Sequence, residues 1–370
     1  MNSTDWFRFE DVDSVDSPCL LVYRERVLEN IRTCLSMCDV QRLRPHVKTH
    51  KMPEVASLMM QSGITRFKCA TIAEAEMLAR AGARDVLLAY QPVGPKQQRL
   101  ITLARQYPQA RFSCLVDNVL TAGELAARFL GHPAGISVYI DLNVGMDRTG
   151  IVPGRAAIEL FKYCRNELHL SVAGWHVYDG HIRNPDLAER TAACDRAFAP
   201  VRDLQAALGE EGIEPPAIVA GGSPTFPIHA ARKDVECSPG TFIFWDYGYL
   251  VNCPEQHFLP AALVLARVIS LPAENRLCID LGHKSVAAEN DIGKRVCFLN
   301  APDLRFAGQS EEHLVAEAPP GHSYQPGDVL YGLPYHICPT VALYDQAAVI
   351  EHRHRTQEWK VLARTRKITV

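Results

Sequence analysis

The sequence has no block of lysine and arginine long enough to follow a phosphate backbone, and no apolar run near the ~18 residues a membrane helix needs. With 39 basic against 42 acidic residues, nucleic acid and the bilayer are both set aside as partners. The opening stretch, MNSTDWFRFEDVDSVDSPC, lacks a basic segment followed by an apolar one, so a cytoplasmic location is expected. The twelve cysteines are scattered and form no CxxC pair, which argues against a disulfide framework and for reduced thiols. There is no internal repeat and no low-complexity stretch.

What remains is an ordinary soluble composition. The 370 residues are 47% hydrophobic and 22% charged, enough to bury a large core and to form two unequal domains. From residue 43 onward, eight short strand-like runs (LRPHVK, RFKCA, DVLLAY, RFSCLV, ISVYIDL, LSVAGWH, AIVAGG and DVECSPG) alternate with helix-length segments, several ending in glycine. Eight such units point to an α/β fold, a (β/α)8 barrel rather than a Rossmann sheet. Beyond about residue 250, runs such as FLPAALVLARVIS, RLCIDLG, DVLYGL, TVALYD and QAAVIEH read as strands of a mostly antiparallel β domain. The expected division is an N-terminal segment 1–24 whose strand joins the β domain, a barrel 25–248, and a C-terminal β domain 249–370, with 245–258 as the nearest thing to a linker.

In such a barrel the reacting groups stand at the C-terminal ends of the strands, and loops 7 and 8 often hold phosphate. Those ends read GGSPT (Gly221, Gly222, Ser223, Thr225) and SPGT (Gly240, Thr241), which offer backbone amides and hydroxyls to an anion. Either could instead be an ordinary turn. Lys48 closes the first strand beside Arg44, His46, His50 and Lys51, and neighbouring positive charge favours a free, nucleophilic amine. Read alone, that run is equally a solvated basic surface. Taken with a phosphate cradle, it points to a Schiff base with pyridoxal phosphate.

RPHVKTHK, DLNVGMDRTG, WHVYDGH, GGSPT, SPGT and YHICPT, in this order from about residue 17 onward, resemble the D-threonine aldolase and D-serine dehydratase family, whose barrel is of the alanine racemase type. The resemblance implies that Lys48 carries the cofactor, that the two glycine turns hold its phosphate, and that Arg148 and Tyr178 line it. On the residues alone, Arg148 could pair with Asp141 or Asp147, and Tyr178 could cap the barrel. Alanine racemase has an arginine near the pyridine nitrogen where this chain has Ser238, with Glu236 on the same strand face.

The resemblance further implies a divalent metal on His336 and Cys338, placed against the substrate's β-hydroxyl. Read alone, the pair is a thiol beside a surface histidine. On an extended strand the two side chains would project to one side. A thiolate ligand favours zinc over manganese or magnesium. His313 and the segment from Asp280 to Lys284 are further candidates for the mouth or for plain turns. The expected reaction is retro-aldol cleavage of a D-3-hydroxy amino acid to glycine and an aldehyde, in a homodimer. The alternatives are a dehydratase giving a keto acid and ammonia, a racemase, a carrier of the cofactor without turnover, and a barrel enzyme of sugar phosphates.

Overall fold

A computed structural model describes residues 5–129 and 135–370. They divide into two compact units, one of Met1–Thr33, Thr49–Met52 and Thr241–Arg364, the other of Cys34–Lys48, Pro53–Gly240 and Thr365–Val370. In chain order the strands are β1 (Cys19–Tyr23), β2 (Arg66–Cys69), β3 (Asp85–Leu88), β4 (Arg111–Val116), β5 (Ser137–Leu142), β6 (Val172–Val177), β7 (Ala217–Ala220) and β8 (Val235–Cys237). They continue with β9 (Ala262–Ala273), β10 (Arg276–Ile279), β11 (Val296–Phe298), β12 (Arg305–Gln309), β13 (Leu314–Glu317), β14 (Val329–Pro334), β15 (Gln346–Glu351) and β16 (His354–Lys360).

In the second unit, β2 to β8 pair in sequence order, all parallel. Helices between them cover the outer face, so the strands read as nearly continuous apolar runs with few polar breaks. The eighth stave is residues 43–46. It makes only single bridges, Leu43 to Cys237 and His46 to Lys68, and these join the two edges of the sheet into a ring. Pro45 explains the irregularity, because it has no N–H to give to a ladder. Caps set the helix starts. Thr71 Oγ1 accepts from Glu74 N at 3.1 Å, and Asp186 Oδ1 from Glu189 N at 2.8 Å. The glycine stop expected at Gly131 lies outside the described residues.

The other unit is a nine-stranded, mostly antiparallel sheet. β1 runs between β9, antiparallel, and β15, parallel. Along β9 the side chains alternate between two cores. Leu263 and Leu265 join Phe7, Phe9, Leu21, Tyr23, Tyr331 and Leu333, while Val264, Ala266 and Val268 join Leu277, Ile279, Val296 and Phe298.

Two expectations fail here. TVALYD is not a strand, because Ile337–Val341 is a short helix whose first turn closes when Thr340 Oγ1 donates to His336 O at 2.9 Å. Residues 245–258 are not a bare linker either, because Tyr247–Asn252 is a helix started by Asp246, which accepts from Tyr249 N at 3.0 Å. All twelve cysteines are free thiols.

Candidate active site

Lys48 leaves the barrel stave in a single 3-10 turn, Val47–Thr49, with its N–H held by His46 Nδ1 at 3.2 Å. Its amine lies 5.6 Å from the centroid of the Tyr178 ring, and the Arg148 guanidinium lies 5.1 Å from the same centroid. Arg148 is thus set on Tyr178. Asp141 pairs instead with His176, and Asp147 bonds Asn143, within a loop where Asn143 Oδ1 also accepts from Gly145 and Asp147 N at 3.1 Å each. Gly180 makes room for the tyrosine, since a Cβ there would come within 2.4 Å of the Tyr178 ring and hydroxyl.

The two glycine turns stand at the ends of β7 and β8. Gly221 has φ +78°, and its missing Cβ leaves space for His229. Its N–H donates to Val177 O at 2.9 Å, so Gly221 shapes the turn and gives no donor to it. The donors are Gly222 N and Gly240 N, which reach Thr225 Oγ1 at 3.3 Å and Ser223 Oγ at 3.4 Å. Such long bonds yield readily to an anionic acceptor, whose hydrogen bonds are about twice as strong. Thr241 begins a segment of the other unit.

A buried polar group holds the GGSPT turn from beneath. Asp179 Oδ1 accepts from Thr225 Oγ1 at 2.8 Å, and its Oδ2 accepts from His229 Nε2 at 2.8 Å. Arg232, which can only donate, lies 2.6 Å from His229 Nδ1 and so fixes the proton on Nε2. Burial raises the Asp179 carboxyl, but the bonds from His229 and Thr225 outweigh it and hold the group below the usual carboxylate range. Asp179, Cys194 and His229 lie close enough to suggest a metal, yet their hydrogen bonds already account for them.

Beside this lies a second basic group that sequence reasoning missed. Lys68 on β2 is 2% exposed, and its amine is also 5.6 Å from the Tyr178 centroid and 3.3 Å from His176 Nε2. His176 Nδ1 is 2.6 Å from Asp141 Oδ1. Burial and then the charge of Lys48 pull the Lys68 amine down to about 7. The signal was present in RFKCA, where Lys68 shares the inward face with Arg66.

Arg44 is not a neighbour of the Lys48 amine. Its guanidinium is 2.5 Å from Asp85 and 2.8 Å from Glu236, while Arg66 lies 2.6 Å from the other Glu236 oxygen. Glu236 is therefore engaged in an ion network with two arginines. Lys48 acts instead on Lys68, whose amine its charge lowers. Ser238, by contrast, is 3% exposed and its hydroxyl has no partner among the described residues.

In the antiparallel unit, His336 precedes the helix Ile337–Val341 as its extended N-cap and Cys338 sits in the first turn, so the pair is not on a strand as the sequence implied. Asp246 anchors that turn, its Oδ2 accepting from Ile337 N at 3.1 Å. The two side chains still meet. His336 Nδ1 is 2.5 Å from Glu289 Oε1, and Thr49 and Thr241 hydroxyls lie 3.2 and 3.6 Å from Cys338 Sγ. Burial lowers the His336 imidazole, but the bond to Cys338, the charges of Cys338 and Asp246, and the bond to Glu289 together raise it to about 9. Asp280 and Lys284 find partners within this unit. Asp280 accepts from Ser17 and from Arg267 N, and Lys284 pairs with Glu311 and Glu312.

The parallel unit fits pyridoxal phosphate. It offers an amine, an aromatic face, a guanidinium, two turns of loosely held amides and one buried hydroxyl without a partner. The pair in the antiparallel unit suits a soft divalent cation, with one nitrogen, one sulfur and an outer carboxylate on the histidine.

Residues 22–248 match the alanine racemase N-terminal domain family, and residues 261–350 match a putative serine dehydratase domain. The chain is 29% identical to a D-threonine aldolase of an Arthrobacter species, covering 95% of this chain and 93% of the relative. It is 26% identical to a D-threo-3-hydroxyaspartate dehydratase of a Delftia species, covering 94% and 98%. The crystal structure of D-threonine aldolase from Filomicrobium marinum superposes with a TM-score of 0.87 at 28% identity, covering 96% of this chain and 98% of that one. The chain belongs to the alanine racemase N-terminal domain family and, with its aldolase and dehydratase relatives, to the pyridoxal-phosphate-dependent lyases.

Proposed function

We propose that this protein cleaves D-3-hydroxy amino acids of the D-threonine type to glycine and an aldehyde, using pyridoxal phosphate on Lys48 and a divalent cation on His336 and Cys338. The observation that carries the reading is the convergence of Lys48 and Arg148 on the Tyr178 ring, in the same unit as the two glycine turns. The aldolases named above, at 29% and 28% identity, also lie nearer than the dehydratase at 26%.

When bound, the cofactor supplies an aldehyde for amines and an electron-accepting ring. Lys48 would hold the aldehyde, and the amides of Gly222 and Gly240 with the hydroxyl of Ser223 would hold the phosphate, while Thr225, whose hydroxyl proton goes to Asp179, would fix the shape of the turn. Gly221 gives the first turn its shape. Tyr178 and Arg148 would cover the ring. Ser238 would give its hydroxyl to the ring's edge, a neutral partner where alanine racemase has an arginine. The cation supplies Lewis acidity toward a hydroxyl. His336 would bind it through Nε2, since Glu289 holds Nδ1, and the Cys338 thiolate would draw zinc before manganese or magnesium. The chain is further proposed to work as a homodimer.

One observation favours dehydration as a second reading, namely the sulfur of Cys338, since thiolate ligation resembles the family's dehydratases more than those aldolases that use a carboxylate. Purified protein supplied with cofactor and zinc, then incubated with D-threonine and D-serine, decides between them. Glycine and acetaldehyde are the expected products. A keto acid and ammonia would replace the aldolase by the dehydratase.

A further inference from the structure

The family reading gives Lys48 the cofactor and leaves a second buried amine unexplained. Lys68 is 2% exposed, and it reaches the same Tyr178 ring as Lys48 at the same 5.6 Å. Its partner is defined by elimination. Asp141 can only accept, so His176 Nδ1 carries the proton across the 2.6 Å contact, and His176 Nε2 must accept from Lys68 at 3.3 Å. Burial, then the charge that Lys68 carries when protonated, lower the imidazole against the pull of Asp141. A neutral lysine amine held this way donates one hydrogen to His176 and leaves its lone pair free.

We propose that Lys68 is a second catalytic lysine, the base that takes the ammonium proton of the incoming amino acid, with His176 and Asp141 holding it in place. The balance is simple. One N–H bond of the substrate ammonium breaks, one N–H bond forms on Lys68, and the substrate nitrogen keeps its electron pair. Lys68 becomes an ammonium, and the proton returns to the product amine on release. No other reactant is consumed.

The surroundings suit a base working near neutrality. Lys48 and Arg44 lower the Lys68 amine, Asp141 and Asp179 raise it, and burial is the largest influence, leaving it at about 7. The charge of Arg148 also lowers His176. An amino acid arrives protonated, and an amine that is still charged cannot attack the cofactor. A base at this point removes that obstacle.

The inference rests on Lys48 being the cofactor lysine, and the experiment separates the two. Full-length protein loaded with pyridoxal phosphate is mixed with D-threonine, and the rate of the change in the cofactor's visible absorption is followed against pH for wild type, Lys68→Met and Lys68→Arg. Wild type is expected to reach its plateau just above neutral pH. Both variants are expected to be slower by about 100-fold at neutral pH, with the rate still climbing toward the pH at which the free amino acid loses its own proton. Methylamine is expected to restore the rate in Lys68→Ala. Lys68→Arg keeps the length and a donor to His176 but stays charged, with no usable lone pair, so it carries the test if Lys68→Met fails to fold. Borohydride fixation to Lys48 with an unchanged pH profile in the variants would overturn the role of Lys68 alone. Fixation to Lys68 itself would overturn the Lys48 assignment and this inference together.

Discussion

Thr225 donates its hydroxyl to Asp179 across 2.8 Å, so the turn offered to the cofactor's phosphate is tied to a carboxylate that is 3% exposed. Replacing Asp179 by alanine leaves both Thr225 and the Nε2–H of His229 without an acceptor. The expected cost is about 3 kcal/mol in urea unfolding, since hydrogen bonds to charged groups are worth about 1.5–3 kcal/mol each. Thr225→Val removes one bond only and is expected to cost about 1–2 kcal/mol. Both variants are expected to release pyridoxal phosphate more readily in equilibrium dialysis.

At the other end of the barrel interior, Arg44 is held between Asp85 and Glu236 and is 1% exposed. Arg44→Met would leave two carboxylates facing an apolar side chain. A loss of about 3–5 kcal/mol is expected, the usual result of removing one partner from a buried ion pair. Equilibrium unfolding checks it, and a change below about 1 kcal/mol would show that Arg66 and Arg111 suffice.

The acid limb of stability should carry the mark of His50. It is buried, its Nδ1 accepts from Met52 N at 3.0 Å, and its Nε2 has no partner among the described residues. Burial chiefly, aided by the charge of Lys51, lowers this imidazole from 6.5 to about 3. Between those values the unfolded chain binds a proton that the folded chain refuses, so stability falls as pH drops below 6.5, by up to about 1.4 kcal/mol per unit. His50→Asn retains an acceptor for Met52 and cannot take up that proton. Its unfolding free energy is expected to lose most of this slope between pH 6 and pH 4, as measured by urea titration at about half-unit steps.

Substitutions at the sulfur–nitrogen pair should change the metal. Cys338→Ala and His336→Ala are expected to abolish zinc retention in elemental analysis while leaving the cofactor's absorption in place. Cys338→Asp replaces a soft ligand by a hard one and is expected to move the preference toward manganese. Zinc bound equally by all of these variants would place the metal elsewhere.

The barrel was legible because a parallel strand buried on both faces must be an apolar run, and FLPAALVLARVIS announced the long antiparallel β9 because its side chains enter a core on each face. LRPHVK reads as an ordinary strand, whereas it makes only single bridges and ends in a 3-10 turn, which Pro45 could have signalled. The side chains that reach across the barrel were not legible. Arg44 and Glu236 are 192 positions apart in the chain, and nothing local says that they pair. Lys68 looked like one more charge in RFKCA, and only ring closure brings it to Tyr178. The HxC pair misled in the opposite way. Its spacing suits a strand, but a hydroxyl bonded back to a carbonyl four residues earlier turned it into the start of a helix.

The covalent assignment of Lys48 is tested most directly by reducing the cofactor-loaded protein with borohydride and mapping the modified peptide by mass spectrometry. A pyridoxyl group on Lys48, within RPHVKTHK, is the expected result. A pyridoxyl group on any other lysine, or a protein that takes up no cofactor at all, would contradict it.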